Sequence, residues 1–234
     1  MFTSEGGRML LSATTKWKET YPGAVVGVLA MRRVANPENS PPLDARKEDL
    51  ETRLRSQYPS HTRSELKSLP SLRPYAEYYK RFGKTYHVQL QLESILFKGR
   101  AIPRLAALVE AMFMAELSSL ILTAGHDLDS VSGQIGVDVA AGGESFVALS
   151  GQEQALKPSD MFMRDDEGIL SCVIYGPAHR ARIDAATTRV LFTAYAPPGI
   201  GVEKVEGHLS DLKANVLTIT PDAEVETLEA MVAR

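Results

Sequence analysis

The sequence has a single cysteine, Cys172, so it can build neither an internal disulfide framework nor a multi-cysteine zinc site. A lone thiol fits a reducing compartment, as a small buried hydrophobe or as a reactive group. No run of about 18 apolar residues occurs, which argues against a membrane-spanning helix. From Met1 to Leu11 the chain carries Glu5 and two glycines where a secretory signal needs a basic end and an apolar core, so a cytoplasmic protein is expected. Positive charge is not in excess: 26 basic residues meet 29 acidic ones, a net −3. That balance argues against a protein that coats DNA or RNA by counterion release, and any nucleic-acid contact is expected to be local. Neither a phosphate-loop glycine motif nor a His-x-x-x-His pair is present, so no cofactor and no metal are expected. Internal repeats and low-complexity tracts are also missing.

What is there suffices for a full core: 234 residues, 44% of them hydrophobic, suit one large domain or one domain with an extension. The valine-rich run Ala24 to Met31 reads as a buried strand, and the proline cluster Asn36 to Pro42 as a loop. Leu43 to Tyr58 is dense in charge, with Leu50 and Leu54 four apart, as on a mostly solvated helix. Arg73 to Arg81 reads as a second helix, with Pro74 in its first turn and Gly83 just past its end. From Thr85 to Glu93 apolar and polar residues alternate, which predicts a strand with His87, Gln89, Gln91 and Glu93 on one face. The strongest helical pattern spans Pro103 to Leu122. Glu116 falls inside its apolar face, about 20° from Leu105 on a helical wheel. A carboxylate there must pair, protonate or line a cavity. Short strands with turns follow: Ile135 to Ala140, Ser145 to Leu149, Met161 to Met163, Ile169 to Tyr175 and Val190 to Tyr195. Pro197-Pro198-Gly199 closes the main unit, and the tail is expected to hold a strand at Val216 to Ile219 and a helix from Ala223. Helices early and strands late point to an α+β fold.

The span Ile102 to Ala196 resembles the B3/B4 domain, the tRNA-editing module of the phenylalanyl-tRNA synthetase beta subunit. The matching features are Leu108-Val109-Glu110 on a helix, Asp127-Leu128-Asp129 seventeen residues later, Gly133-x-Ile135-x-Val137, and Gly143-Glu144. Leu149-Ser150-Gly151 stands for the family's Leu-Asp-Gly, and Met163-x-Asp165, Gly168, Gly176 and Thr187 to Leu191 complete the series. The resemblance implies an α+β fold, a single B3/B4-like domain with a mixed/antiparallel sheet flanked by helices. It also implies a division into an N-terminal extension (1–22), the editing-type domain (23–200) and a strand-helix tail (201–234) packed on the same domain. The implied activity is hydrolysis, in trans, of an amino acid wrongly esterified to tRNA, so the expected partner is the aminoacylated 3′ end of tRNA. Counting back from Asp127, the family's Thr-Asn pair falls on Met112-Phe113 and its histidine on Ala124. Pro177 and Ala178 stand where the family has a second glycine and an acidic residue. The synthetase's specificity for tyrosine is therefore not carried over.

Ester hydrolysis needs a positioned water, an acceptor for its proton and donors facing the oxyanion. His126, read in a turn after the long helix, is a candidate base, with Asp127 or Glu116 fixing its tautomer; a histidine simply bonded into the turn is the other reading. His87 is the second catalytic candidate, beside Gln91 and Glu93 as grips for a carbonyl and an ammonium; a solvated sheet face explains the same pattern. Glu116 and Thr123 are placed with the substrate-binding group. Tyr175, His179 and Arg180 could stack and clamp a terminal adenosine. Lys80, Arg81, Lys84, Lys98, Arg100 and Arg104, with tyrosines interspersed, make a locally basic region for a tRNA contact, or else plain solvated helix faces. Two further functions stay open: a non-catalytic module binding tRNA ends or a free amino acid, and an enzyme acting on another amide or ester.

Overall fold

The computed structural model describes residues 11–234. Two short elements, β1 (Leu11–Ala13) and α1 (Thr15–Thr20), precede β2 (Val25–Arg32). Five helices follow: α2 (Pro41–Gln57), α3 (Arg63–Lys67), α4 (Arg73–Lys80), α5 (His87–Lys98) and α6 (Ala107–Ser119). Then come β3 (Leu122–Asp127), β4 (Ile135–Val139), β5 (Ser145–Val147), β6 (Glu153–Ala155), β7 (Met161–Asp165), β8 (Gly168–Cys172), β9 (Gly176–Pro177) and β10 (Arg189–Ala196). The chain closes with α7 (Val202–Ile219) and β11 (Glu224–Val232).

Strands β11, β2, β10 and β3 form, in that order, an antiparallel sheet. A five-stranded mixed sheet runs β1, β4, β7, β8, β9, with only the β1–β4 pair parallel. Strands β5 and β6 make a small separate hairpin. This is the expected α+β arrangement of mixed and antiparallel sheets flanked by helices. Strand β2 is apolar without alternation because both its faces are covered, every residue but Arg32 being buried. One face carries α7: a Cβ on Gly27 would stand 2.6 Å from Val205 Cγ1 and 2.9 Å from Leu209 Cδ1, so the helix rests directly on the strand backbone. Helix α6 packs beside α7, where Asn215 donates to the Ala111 carbonyl at 3.1 Å.

The N-terminal part of the chain is tied into the fold as far as it is described. Residues Leu11–Ala13 pair with β4, Trp17 is fully buried, and its indole N–H meets Met161 Sδ at 3.3 Å. The first ten residues of the expected extension lie outside the described residues. Among the described residues no helix is long and apolar enough to cross a membrane.

Four expectations are corrected. Thr85 to Glu93 is not a strand: His87–Lys98 is helix α5, because Val88, Leu92 and Ile95 recur at four- and three-residue spacing and bury together, whereas Leu90 is left exposed. Nine alternating residues are too few to decide the period, and the helical one continues to Gly99, whose φ of +63° caps it. The long helix starts at Ala107, after Pro103, and stops at Leu120, itself left-handed at φ +64°. The run expected as a turn, Leu122 to Asp127, is strand β3, followed by a single 3-10 turn at Leu128–Ser130. In the tail the order is reversed: Val205, Leu209, Leu212 and Val216 form the buried stripe of α7, and Glu224–Val232 is an edge strand on β2.

Candidate functional site

Each of the two large sheets ends in a strand with one open edge, β3 in the antiparallel sheet and β9 in the mixed one. These edges approach each other without joining, and a cavity of about 330 Å³ lies between them. Helix α5 contributes His87 to its wall, and α6 contributes Val109, Met112, Phe113 and Glu116. Strand β3 contributes Leu122 to Gly125, and the segment Cys172 to Pro177 forms the opposite wall. Leu149, Arg182, Ile183 and Tyr195 complete it. The lining is mostly apolar with a few convergent polar groups, as small-molecule sites generally are.

The open edge of β3 supplies hydrogen-bonding groups. Ala124 and His126 direct their backbone groups toward β10, the Leu122 N–H donates to the Tyr75 hydroxyl at 3.0 Å, and Thr123, of the opposite parity, directs its N–H away to Glu116 Oε1 at 2.7 Å. Gly125 shares the parity of Thr123, so its N–H and C=O also point off the sheet, and no hydrogen bond to them occurs among the described residues. The position is tight: a Cβ would meet Ile183 Cδ1 at 2.7 Å, Phe192 at 3.3 Å and Met112 Sδ at 3.4 Å, so those side-chain ends would have to shift.

Glu116 is completely buried. Its Oε1 is held by the Thr123 N–H, and its Oε2 has no partner among the described residues. Burial pushes the carboxyl up to about 8, with the Thr123 N–H opposing. His87 sits across the cavity, its Nδ1 3.5 Å from the Tyr79 hydroxyl, and burial pulls its imidazole down to about 4. At neutral pH the site therefore holds a neutral imidazole and a mostly protonated carboxyl, the latter the reverse of its charge state in water.

Two buried hydrogen-bond chains support the walls. Thr123 Oγ1 lies 2.6 Å from His208 Nε2, and His208 Nδ1 lies 2.8 Å from Ser119 Oγ, which ties β3, α7 and α6 together. On the other side, His126 Nε2 lies 3.0 Å from Ser171 Oγ, which lies 2.7 Å from the hydroxyl of Tyr195. At the cavity rim, Lys84 Nζ stands 5.0 Å above the ring of Tyr175.

Of the residues singled out in the sequence, His87, Glu116, Thr123 and Tyr175 line this cavity, and the rest lie elsewhere. His126 is fully buried and its Nε2 faces Ser171 Oγ instead of the cavity; burial pulls its ring down to about 3, with the Arg180 charge adding. Asp127 caps the 3-10 turn through the Asp129 N–H and accepts from Thr187 Oγ1 at 2.8 Å. The helical twist of α5 separates the four polar residues expected on one face. Gln89 binds Glu93 at 2.7 Å and Glu93 faces Arg63 at 3.2 Å in a second groove, while Gln91 stays outside the cavity with its amide oxygen unpartnered. His179 lies 3.2 Å from Arg182, and Arg180 is engaged by Asp165 at 2.5 Å and by the carbonyls of Ser130 and Gly168.

The basic residues are dispersed. Lys80 and Arg100 are exposed, Arg81 lies over the rings of Tyr21 and Tyr78, and Lys98 borders the groove that contains Arg63 and Lys67. Arg104 stands 3.5 Å from Asp44. Lys84 alone among those named reaches the cavity rim. Arg182, the second guanidinium of the loop from Tyr175 that the sequence offers as an adenosine clamp, lines the wall, and Tyr195 and His208 are members of the site or its support that the sequence pattern did not mark. His208 alone had a local signal, its place among Val205, Leu209 and Leu212 at helical spacing. Among the described residues no group of acidic, histidine or cysteine side chains is arranged to hold a metal ion.

A family model described as B3/4 domain matches residues 74–210, a span that includes every residue of the cavity wall. No curated protein matches the chain. Among solved structures, the fold is similar to that of an N-terminal fragment of the phenylalanyl-tRNA synthetase beta subunit from Pyrococcus horikoshii, at 12% identity and a TM-score of 0.50. That match covers 99% of this chain and 56% of the other, so the chain spans little more than half the length of the protein it resembles.

Proposed function

The chain belongs to the B3/4 domain family, and from that premise we propose that it is an aminoacyl-ester hydrolase that removes wrongly attached amino acids from tRNA in trans. The observation that carries this reading is the apolar cavity between two open sheet edges, with a neutral imidazole, a buried carboxyl and a free backbone N–H converging on it. In this scheme the acyl side chain occupies the apolar part and the 3′-terminal ribose stays at the rim. A water attacks the carbonyl carbon while His87 takes its proton, and the oxygen of the tetrahedral intermediate faces the Gly125 N–H. Collapse breaks the bond to the ribose oxygen, which leaves as a hydroxyl with the proton returned by His87. Lys84 and Tyr175 at the rim, with Arg182 beside them, suit the phosphates and base of an acceptor end. Lys80, Arg81, Lys98 and Arg100 are assigned to more distant, salt-sensitive contacts with the same tRNA, in the cytoplasm.

A panel of mischarged tRNAs tests the scheme. Ester loss well above the buffer rate is expected for at least one, falling about 100-fold in His87→Ala, the scale of a lost general base. No loss above buffer across the panel overturns it. A second reading, binding of an aminoacyl end without turnover, is favoured by Met112 and Phe113 in the wall where the resembling family has its polar pair. It predicts ligand-dependent thermal shifts with no hydrolysis.

A further inference from the structure

Glu116 Oε2 is buried in the cavity wall without a hydrogen-bond partner. The Thr123 N–H at 2.7 Å fixes the other carboxylate oxygen, and so fixes the orientation of the group. Side chains that could reach it from the surrounding elements are already committed. From α4, the Tyr75 hydroxyl donates to the Tyr195 carbonyl and accepts from the Leu122 N–H, and the Tyr79 hydroxyl donates to the Val173 carbonyl. The Tyr86 hydroxyl donates to the Leu120 carbonyl, and both ring nitrogens of His208 from α7 are engaged by Thr123 and Ser119. Arg182, the cation in the wall, turns its guanidinium to His179. The protein thus prepares a fixed carboxyl in an apolar chamber, and the described residues supply no countercharge, although a buried carboxylate is tolerated only when paired.

We propose that the Glu116 carboxylate anchors a primary ammonium group carried on an apolar body, namely the α-ammonium of the aminoacyl group, an assignment that rests on the aminoacyl-ester reading of the cavity. The wall around it, Val109, Met112, Phe113 and Ile183, fits a branched aliphatic or aromatic body. Because burial holds the empty carboxyl up at about 8, entry of an ammonium at neutral pH expels one proton. N-acylated substrates, which lack the cation, are excluded by the same chemistry.

The test is calorimetric titration at pH 7 with L-leucinamide and L-phenylalaninamide, their N-acetyl counterparts, and isopentylamine. At least one amide with a free ammonium is expected to bind ten times or more tighter than its N-acetyl form, with close to one proton released. Glu116→Gln is expected to abolish that preference and the proton release, and Glu116→Asp, which keeps the charge but withdraws it by one methylene, to fall between. Equal binding of free and N-acetylated amides, no binding of either, or a preference that survives Glu116→Gln overturns the anchor. Isopentylamine binding as tightly as the amides assigns the carboxylate to free amines and overturns the aminoacyl half. These titrations need no tRNA. A retained ammonium preference without deacylation defeats only the hydrolase reading, whereas equal hydrolysis of N-acetylated and free aminoacyl-tRNA defeats only the anchor.

Discussion

Glu110 and Glu116 lie on the same helix less than two turns apart, both buried, and their surroundings could hardly differ more. Around Glu110 everything is satisfied: Lys47 of α2 stands 2.5 Å from Oε2 and the Leu105 N–H donates to Oε1 at 2.6 Å. Asp44 holds the same lysine at 2.8 Å. Glu116 has one backbone donor and an empty second oxygen facing a cavity. The first carboxylate is part of how α2 and α6 are joined, and the second is kept for something outside the chain. Burial does not distinguish a structural acid from a functional one; the accounting of partners does.

The strongest way to break that contrast is to remove Glu110. Glu110→Ala leaves Lys47 with Asp44 as its one remaining counter-ion and the Leu105 N–H without its acceptor, and is expected to cost about 3 kcal/mol in urea unfolding, the low end of the penalty for breaking a buried pair. Replacing both partners, Lys47→Met with Glu110→Leu, should recover most of the loss; if it does not, the pair is worth more than its desolvation cost.

Glu116→Gln should do the opposite. The folded carboxyl, raised to about 8, binds its proton more tightly than the unfolded one at about 4.5, so its contribution is full below 4.5 and is lost as pH rises through 8. His87, His126 and His208, all pulled down by burial to about 3–4, act with the other sign: their contribution is full above 6.5 and is lost as pH falls toward those values. Between pH 6.5 and 8 the Glu116 decline is therefore expected to dominate, at about 2 kcal/mol. In urea midpoints against pH, Glu116→Gln should flatten this limb and leave the acid limb in place. A limb that persists in the variant assigns the titration to another group.

Gly125→Ala probes the cavity without touching either glutamate. Its methyl would press on Ile183 and Met112, flexible ends that can yield, so about 1 kcal/mol of stability is expected to be lost. A much larger fractional loss should appear in deacylation, because those side chains then fill the acyl space. Equal loss of both would mean that the cavity is not the site. The smallest effect belongs to Glu77, an exposed acid 3.7 Å from Arg73, whose change to Gln should leave the urea midpoint unchanged within error.

Much of this contrast was legible before the fold was known, and the unread part has a common cause. Glu116 is buried, but not by the stripe read from the sequence: Leu105 is exposed and precedes α6, Val109, Met112 and Phe113 are half-buried, and Ala107, Leu108, Ala111, Met114, Ala115 and Leu117 bury a helix covered on most sides. His87 was singled out for the wrong reason: the alternation from Tyr86 to Glu93 satisfied a two-residue period, and only the burial of Ile95 two turns later made the helical period win. His126 shows the complementary limit. Its neighbours are small and the run reads as a turn, yet pairing with β10 makes it a strand and sends the ring to Ser171. In the tail, the stripe Val205, Leu209, Leu212 and Val216 was a helical signal available at the outset.

From the sequence alone came the class of fold, the family resemblance, the long apolar helix that carries Glu116 and the exclusion of an internal disulfide or multi-cysteine metal site. Each follows from composition or from spacing within one element, which local geometry reads directly. Which polar residues share a space was decided only by the tertiary structure. The cavity exists because two edges, one from each sheet, meet without pairing, and that juxtaposition depends on β10, α7 and the β8–β9 turn, distant in sequence from the residues they bring together. Pairing with β10, a strand more than sixty residues away, then sets the run from Leu122 to Gly125 against the cavity and sends His126 to Ser171.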